Sequence, residues 1–132
     1  MRLALALLLL PAPGLAQDVD CVAATAQAAL NVCAARAFEA ADAELNEAYE
    51  GAMFAAGVAD PDGSRGLQER LRVAQRLWLP FRDAACEADA AVYGGGSMQP
   101  MVQANCLERV TRARAQDLFA FTDAIGLGTR TP

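Results

Sequence analysis

The sequence contains no histidine and no lysine, and it has a single tryptophan, Trp78. Without histidine there is no ordinary Ser-His-Asp triad and no imidazole ligand for zinc. Without lysine, the glycine run at 94–96 is no phosphate-binding loop. The remaining acidic pair, Glu87 and Asp89, is typical of a solvated helix end rather than of a general acid and base. We therefore expect no enzyme, no metal site and no cofactor.

A membrane-spanning segment is also missing, because the longest apolar run, at 3–10, is too short to cross a bilayer of about 30 Å as a helix. This run follows Arg2 and is followed by the small residues Gly14 and Ala16, a pattern typical of a secretory signal at 1–16, cleaved after Ala16. Cys21 lacks the small residues that precede a lipidated cysteine. We expect a periplasmic or secreted protein without a membrane anchor, whose residues 17–132 form one domain.

The mature chain is acidic. Without the signal, ten arginines face sixteen carboxylates, which gives a net charge of about −6. Such a surface repels nucleic acid and anionic lipid and favours a basic protein partner. We expect a monomer that binds another protein.

No strand pattern persists, whereas three segments carry apolar residues at helical spacing. Helices are predicted at 25–55, from about 65 to 93, and at 101–124, with a polar turn at 60–64 and a frayed tail from about 126. Pro80 predicts a kink in the second helix, and Trp78 and Phe81 are predicted to pack in the core. The predicted inner face of this helix is Leu67, Leu71, Ala74, Trp78, Phe81 and Ala85.

Four cysteines in a small exported chain predict two disulfides, and three pairings are open from the sequence alone. If the second and third helices fold back about Gly95 and Gly96, Cys86 and Cys106 lie at similar height and pair. Cys21 and Cys33 are then left for each other. The predicted fold is all-α: a three-helix, antiparallel, up-and-down bundle held by disulfides.

Polar side chains along the first helix predict a buried network. Asp42, Asn46 and Tyr49 recur at i, i+4 and i+7 on the edge of the apolar stripe. An arginine fork from Arg82 or Arg114 is expected to satisfy Asp42, since buried polar groups need partners. We assign this network a structural role.

Five segments resemble a known family. They are QAALNVCA at 27–34, ADAELNEAY at 41–49, AQRLWLPFRDAAC at 74–86, YGGGSMQPM at 93–101 and CLERVTRARAQDL at 106–118. In order and spacing they resemble the LprI-type lysozyme-inhibitor domain, and the likeness covers nearly all of the mature chain. It implies an exported helical domain, with lysozyme inhibition attributed to the name-giving member. Pro80 and Ala26 depart from the pattern, where a helix former and a threonine are more usual.

The resemblance and the acidic surface favour an inhibitor that covers the cleft of a basic, lysozyme-like muramidase. The segment expected to intrude is the turn after the second helix, with Glu87 and Asp89 steering. The turn comprises Tyr93, Gly94, Gly95, Gly96 and Ser97. The alternatives are that the glycines only reverse the chain, and that the protein is an envelope-stress or scaffold module using Met53, Met98 and Met101 as an adaptable contact surface.

Overall fold

The computed structural model describes residues 18–128, which contain three helices and no strand. Helix α1 spans Gln27–Ala59, α2 spans Leu67–Ala91 and α3 spans Gln99–Gly128. The predicted all-α, three-helix fold is confirmed. Helices α1 and α3 each end four residues beyond their predicted ends at 55 and 124. The predicted signal at 1–16 and the end of the tail lie outside the described residues.

Contacts between side chains fix the directions of the helices. Gln27, at the start of α1, donates a hydrogen bond to the sulfur of Met101, at the start of α3, so these two helices run parallel. Asp42 in α1 pairs with Arg82 in α2, while Gln68, at the start of α2, reaches the carbonyl oxygen of Met53. Helix α2 therefore runs antiparallel to both neighbours, giving an up-down-up bundle.

Alanines line the contact between α1 and α3. Ala41, Ala52 and Ala56 are fully buried in α1, and Ala115 is fully buried in α3. Their small side chains let the two backbones approach closely, while Leu45 and Leu118 fill the space that remains. The apolar stripe predicted for α1, which recurs at three- and four-residue steps from Leu30 to Met53, is thus the face that forms the core.

Helix α2 is rotated relative to the sequence-based prediction. Phe81 is 64% exposed and Ala74 is also exposed, whereas Gln75, Arg82 and Cys86 are buried. Because residues four apart share a helix face, the inward-facing Cys86 brings Arg82 inward with it and turns Phe81 outward. The prediction that Phe81 packs in the core is wrong, while Trp78 packs against the core as expected.

Two disulfides lie toward the same end of the bundle, Cys86–Cys106 between α2 and α3 and Cys21–Cys33 between the N-terminal segment and α1. These are the two pairings expected from the helical hairpin. Pro80 lies on the exposed side of α2, and the helix continues through it from Leu67 to Ala91.

The turn between α1 and α2 is organised by Asp60, whose side chain is only 3% exposed. Its carboxylate accepts the backbone N–H groups of Arg65 and Leu67, each at 3.1 Å, and so replaces the side-chain cap that Gly66 lacks. These two hydrogen bonds lower the pKa of Asp60 below its ordinary value.

Candidate partner-binding site

The turn at 93–97 lies at one end of the bundle and is exposed at every residue. Gly94 and Gly95 have φ values of 52° and 79°, in the left-handed region that glycine adopts without steric cost. No atom lies within 4 Å of where a Cβ would stand on either residue, so the turn projects into open space. The ring of Tyr93, which is 45% exposed, stands beside it.

Hydrogen bonds hold the turn in one shape despite its glycines. The N–H of Gly95 donates to the side-chain oxygen of Gln99 at 2.7 Å, and the N–H of Gly96 donates to the carbonyl of Tyr93 at 2.9 Å. The amide of Asn31 donates to the carbonyl of Ser97 at 3.1 Å, which ties the turn to α1. Within the described part of the chain the hydroxyl of Ser97 makes no hydrogen bond, so it is available to a partner.

The two acidic residues predicted to steer a partner are both exposed near the end of α2. The carboxylate of Asp89 lies 3.8 Å from the guanidinium of Arg109, and each side chain is more than half exposed. Glu87 makes no ion pair within residues 18–128. It therefore presents a full charge about 9 Å along the helix axis from Tyr93, at a rise of about 1.5 Å per residue.

Most of the net negative charge of the mature chain lies elsewhere, on α1. This helix carries five carboxylates against one arginine, whereas α2 and α3 each carry equal numbers of acidic and basic residues. The five are Glu39, Asp42, Glu44, Glu47 and Glu50. Arg112 binds Glu44 at 2.6 Å and also Glu108, and the hydrogen bond to Glu108 is the main cause of the raised pKa of Arg112. A charge count for each helix would have located this acidic surface from the sequence.

Arg82 is the centre of the buried polar contacts. Its guanidinium carbon lies 5.3 Å from the ring centroids of both Phe38 and Trp78, so the cation is held between two aromatic rings. It also pairs with Asp42 at 3.3 Å and with Asp83 at 2.8 Å. The contact between Arg82 and Asp42 is one that the sequence analysis proposed, whereas the stacking of Arg82 on Phe38 and Trp78 was missed.

The other predicted members of this network lie apart from it. Asn46 is exposed, and Tyr49 packs against the hydrophobic core. Arg114 donates instead to the side-chain oxygen of the buried Gln75 at 3.1 Å. The five residues therefore do not form one network. Asp42 pairs with Arg82, Arg114 contacts Gln75, Tyr49 packs against the core and Asn46 lies on the surface.

Residues 18–128 contain neither a membrane-spanning helix nor a cluster of metal-ligating side chains. No helix in this range is long and apolar enough to span a membrane. No group of three or more cysteine or acidic residues in this range is arranged to hold a metal ion.

The fold defines a small, disulfide-bonded helical protein. The chain belongs to the family described as lysozyme inhibitor LprI, whose model matches residues 21–118. It is also similar to an uncharacterized protein, R02472, of Rhizobium meliloti (strain 1021), at 40% identity over 120 residues that cover 85% of this chain and 86% of the relative. No solved structure matches the chain. The disulfides and the family suggest an exported protein, and the family implies a protein partner.

Proposed function

We propose that this protein inhibits a basic, lysozyme-like muramidase by placing the turn at 93–97 in the substrate cleft of the enzyme. The observation that carries the proposal is that this turn is exposed throughout and is borne by a hairpin that Cys86–Cys106 staples. Because the support is rigid, little conformational entropy is lost when the turn enters a cleft. The inhibitor needs no chemistry of its own, since it denies the sugar chain access to the two catalytic carboxylates.

The chemistry of the turn fits a cleft lined with polar groups. Within the described residues, the carbonyl oxygens of Gly94 and Gly95 accept no hydrogen bond, so both are free to accept hydrogen bonds from an enzyme. Without side chains, these two residues allow the backbone to approach a partner closely. Tyr93 supplies an aromatic anchor with a hydroxyl group, a residue type enriched where interfaces bind most strongly.

The charge distribution supports a basic target. The turn is tied to α1 by the hydrogen bond from Asn31 to Ser97, and the first carboxylate of the acidic surface, Glu39, lies eight residues further along this helix, or about 12 Å at 1.5 Å per residue. Complementary charge speeds encounter between proteins and weakens as salt rises. In this arrangement α1 provides long-range attraction, and Glu87 acts close to the turn.

A cell-wall turbidity assay with several classes of muramidase tests the proposal. We expect the purified protein to slow clearing, and Tyr93→Ala to raise the inhibition constant at least tenfold, an effect of about 1.4 kcal/mol. The matched control is Phe54→Ala, because Phe54 is a 74% exposed aromatic residue near the other end of α1. Absence of inhibition at excess protein across all classes of muramidase would refute the proposal. Equal losses of inhibition from both variants would show that the turn is not the segment that binds the enzyme.

The scaffold alternative relied on three methionines forming one adaptable surface. Met98 and Met101 lie at the turn end, whereas Met53 lies 26 residues along α1 from Gln27, which is about 39 Å at 1.5 Å per residue. One small contact surface therefore does not include all three. A pull-down from envelope extract separates the two functions, since retention of a muramidase supports inhibition and retention of an unrelated envelope protein supports the alternative.

A further inference from the structure

The solvent-facing side of α2 is apolar along most of its length. We call this side the outer face, and it consists of Val73, Leu77, Pro80, Phe81, Ala84 and Ala88. All six residues are exposed, with Leu77 at 68% and Phe81 at 64%. They lie opposite the buried side of the helix, where Arg82 and Cys86 face the core. A contiguous apolar strip of this kind on a small exported protein marks an interaction surface.

Four charged residues run along one edge of the outer face in a symmetric order. Arg76 and Asp83 lie equally far on either side of the midpoint between Leu79 and Pro80, and Arg72 and Glu87 lie equally far from the same midpoint. At 100° per residue all four project within about 60° of one another. Among these four, the first half of the edge is therefore basic and the second half acidic. Glu69 shares the edge at its start and pairs there with Arg72 and Arg76.

This pattern is complementary to itself when reversed. In an antiparallel pair of helices related by a two-fold axis, the same edge of each helix meets the other, and residues at equal distances from the axis lie at equal height. With the axis at the midpoint, Arg76 of one copy faces Asp83 of the other, and Arg72 faces Glu87. The apolar strips then meet at the centre, with ion pairs along the rim.

The same groups have only weak alternatives within one chain. Arg72 and Arg76 pair with Glu69 at the surface, where both arginine side chains are at least 44% exposed. Asp83 pairs with Arg82 at 2.8 Å, although the Asp83 side chain is 61% exposed, and Glu87 has no ion-pair partner within residues 18–128. Exposed pairs of this kind contribute little, so exchanging them for pairs between copies costs little.

We propose that the protein forms an antiparallel homodimer through the outer face of α2, centred between Leu79 and Pro80. A single helix pair buries less than the roughly 800 Å² per partner of a standard interface, so the dimer is of the transient kind, with a dissociation constant of about 10 µM. Each turn at 93–97 lies about 20 Å along the helix axis from the two-fold axis. The two turns therefore project from opposite ends, and the dimer leaves both turns exposed while it engages Glu87 at the rim.

Sedimentation equilibrium of residues 17–132 from about 1 to 300 µM tests the dimer. We expect reversible dimerisation, and Phe81→Ser should raise the dissociation constant at least tenfold. The matched control Phe54→Ser removes an equally exposed phenylalanine from α1 and should change nothing. A wild-type chain that stays monomeric over this range, or equal effects of the two variants, overturns the proposal. Circular dichroism establishes that each variant is folded.

Charge exchange tests the antiparallel register. One variant, Arg72→Glu with Arg76→Glu, has a wholly acidic edge. A second, Asp83→Arg with Glu87→Arg, keeps Glu69 as the one acidic residue of an otherwise basic edge. Each alone should be monomeric because like charges meet, and an equimolar mixture should form a heterodimer. A mixture that stays monomeric while the wild type dimerises refutes this register. The outcome is independent of muramidase inhibition, which the turbidity assay measures separately.

Discussion

Replacing Arg82 with alanine removes the one buried cation among residues 18–128. The side chain is 10% exposed, and its guanidinium carbon lies 5.3 Å from two aromatic ring centroids. Each stacking contact is worth about 1 kcal/mol where water is partly excluded. Loss of the buried aliphatic stem adds about 1 kcal/mol.

The ion pairs of Arg82 contribute less. Asp42 is 45% exposed and Asp83 is 61% exposed, so both carboxylates regain water when the arginine is removed. Together they account for about 0.5 kcal/mol. We therefore expect Arg82→Ala to lower the free energy of unfolding by about 3.5 kcal/mol in total, and Asp42→Ala by less than about 0.5 kcal/mol.

Urea unfolding at low protein concentration, followed by circular dichroism, measures both changes. For a domain of this size, about 3.5 kcal/mol corresponds to a fall in Tm of about 14 °C in a thermal melt. Arg82→Lys keeps the charge but loses the planar stacking group, so it should recover less than half of the loss. The control is Arg109→Ala on α3, whose side chain is 69% exposed. If Asp42→Ala costs as much as Arg82→Ala, the ion pair rather than the aromatic contact holds α2, and the reasoning fails.

Three further predictions concern stability. The hydroxyl of Thr111 is fully buried and has no hydrogen-bond partner among the described residues, so Thr111→Val should raise the free energy of unfolding by about 1 kcal/mol, measured by urea titration. Because folding lowers the pKa of Asp60, its contribution to stability is complete above the unfolded pKa and lost as the pH falls through the folded pKa. Asp60→Asn should therefore lower Tm at pH 7, with the difference from wild type shrinking below pH about 4, whereas a difference independent of pH contradicts this. Replacing Cys86 and Cys106 together by serine opens a link across 20 residues and should cost about 3 kcal/mol in calorimetry, and a loss below about 1 kcal/mol would contradict the stapling role.

The sequence alone determined which segments are helical and which face of α1 is buried. The three- and four-residue recurrence from Leu30 to Met53 has one solution, since alanine and leucine gain nothing by facing water. The glycine run before Ser97 had to end α2. The pairing of Cys86 with Cys106, and then of Cys21 with Cys33, was predicted from the resulting hairpin. These features depend on the spacing of residues along the chain, which can be analysed without knowing which residues become neighbours in the folded protein.

Only the tertiary structure decided how α2 is rotated. Hydrophobicity placed Phe81 inside, but α1 and α3 take each other as principal partners, and the disulfide at Cys86 fixes which side of α2 faces them. Arg82 then lies inside between Phe38 and Trp78, while Phe81 and Leu77 face outward. Trp78 stands four residues before Arg82 on the same helix, but Phe38 and Asp42 belong to α1. Because a buried arginine needs partners that replace its water, only the packing of α1 against α2 makes this position favourable.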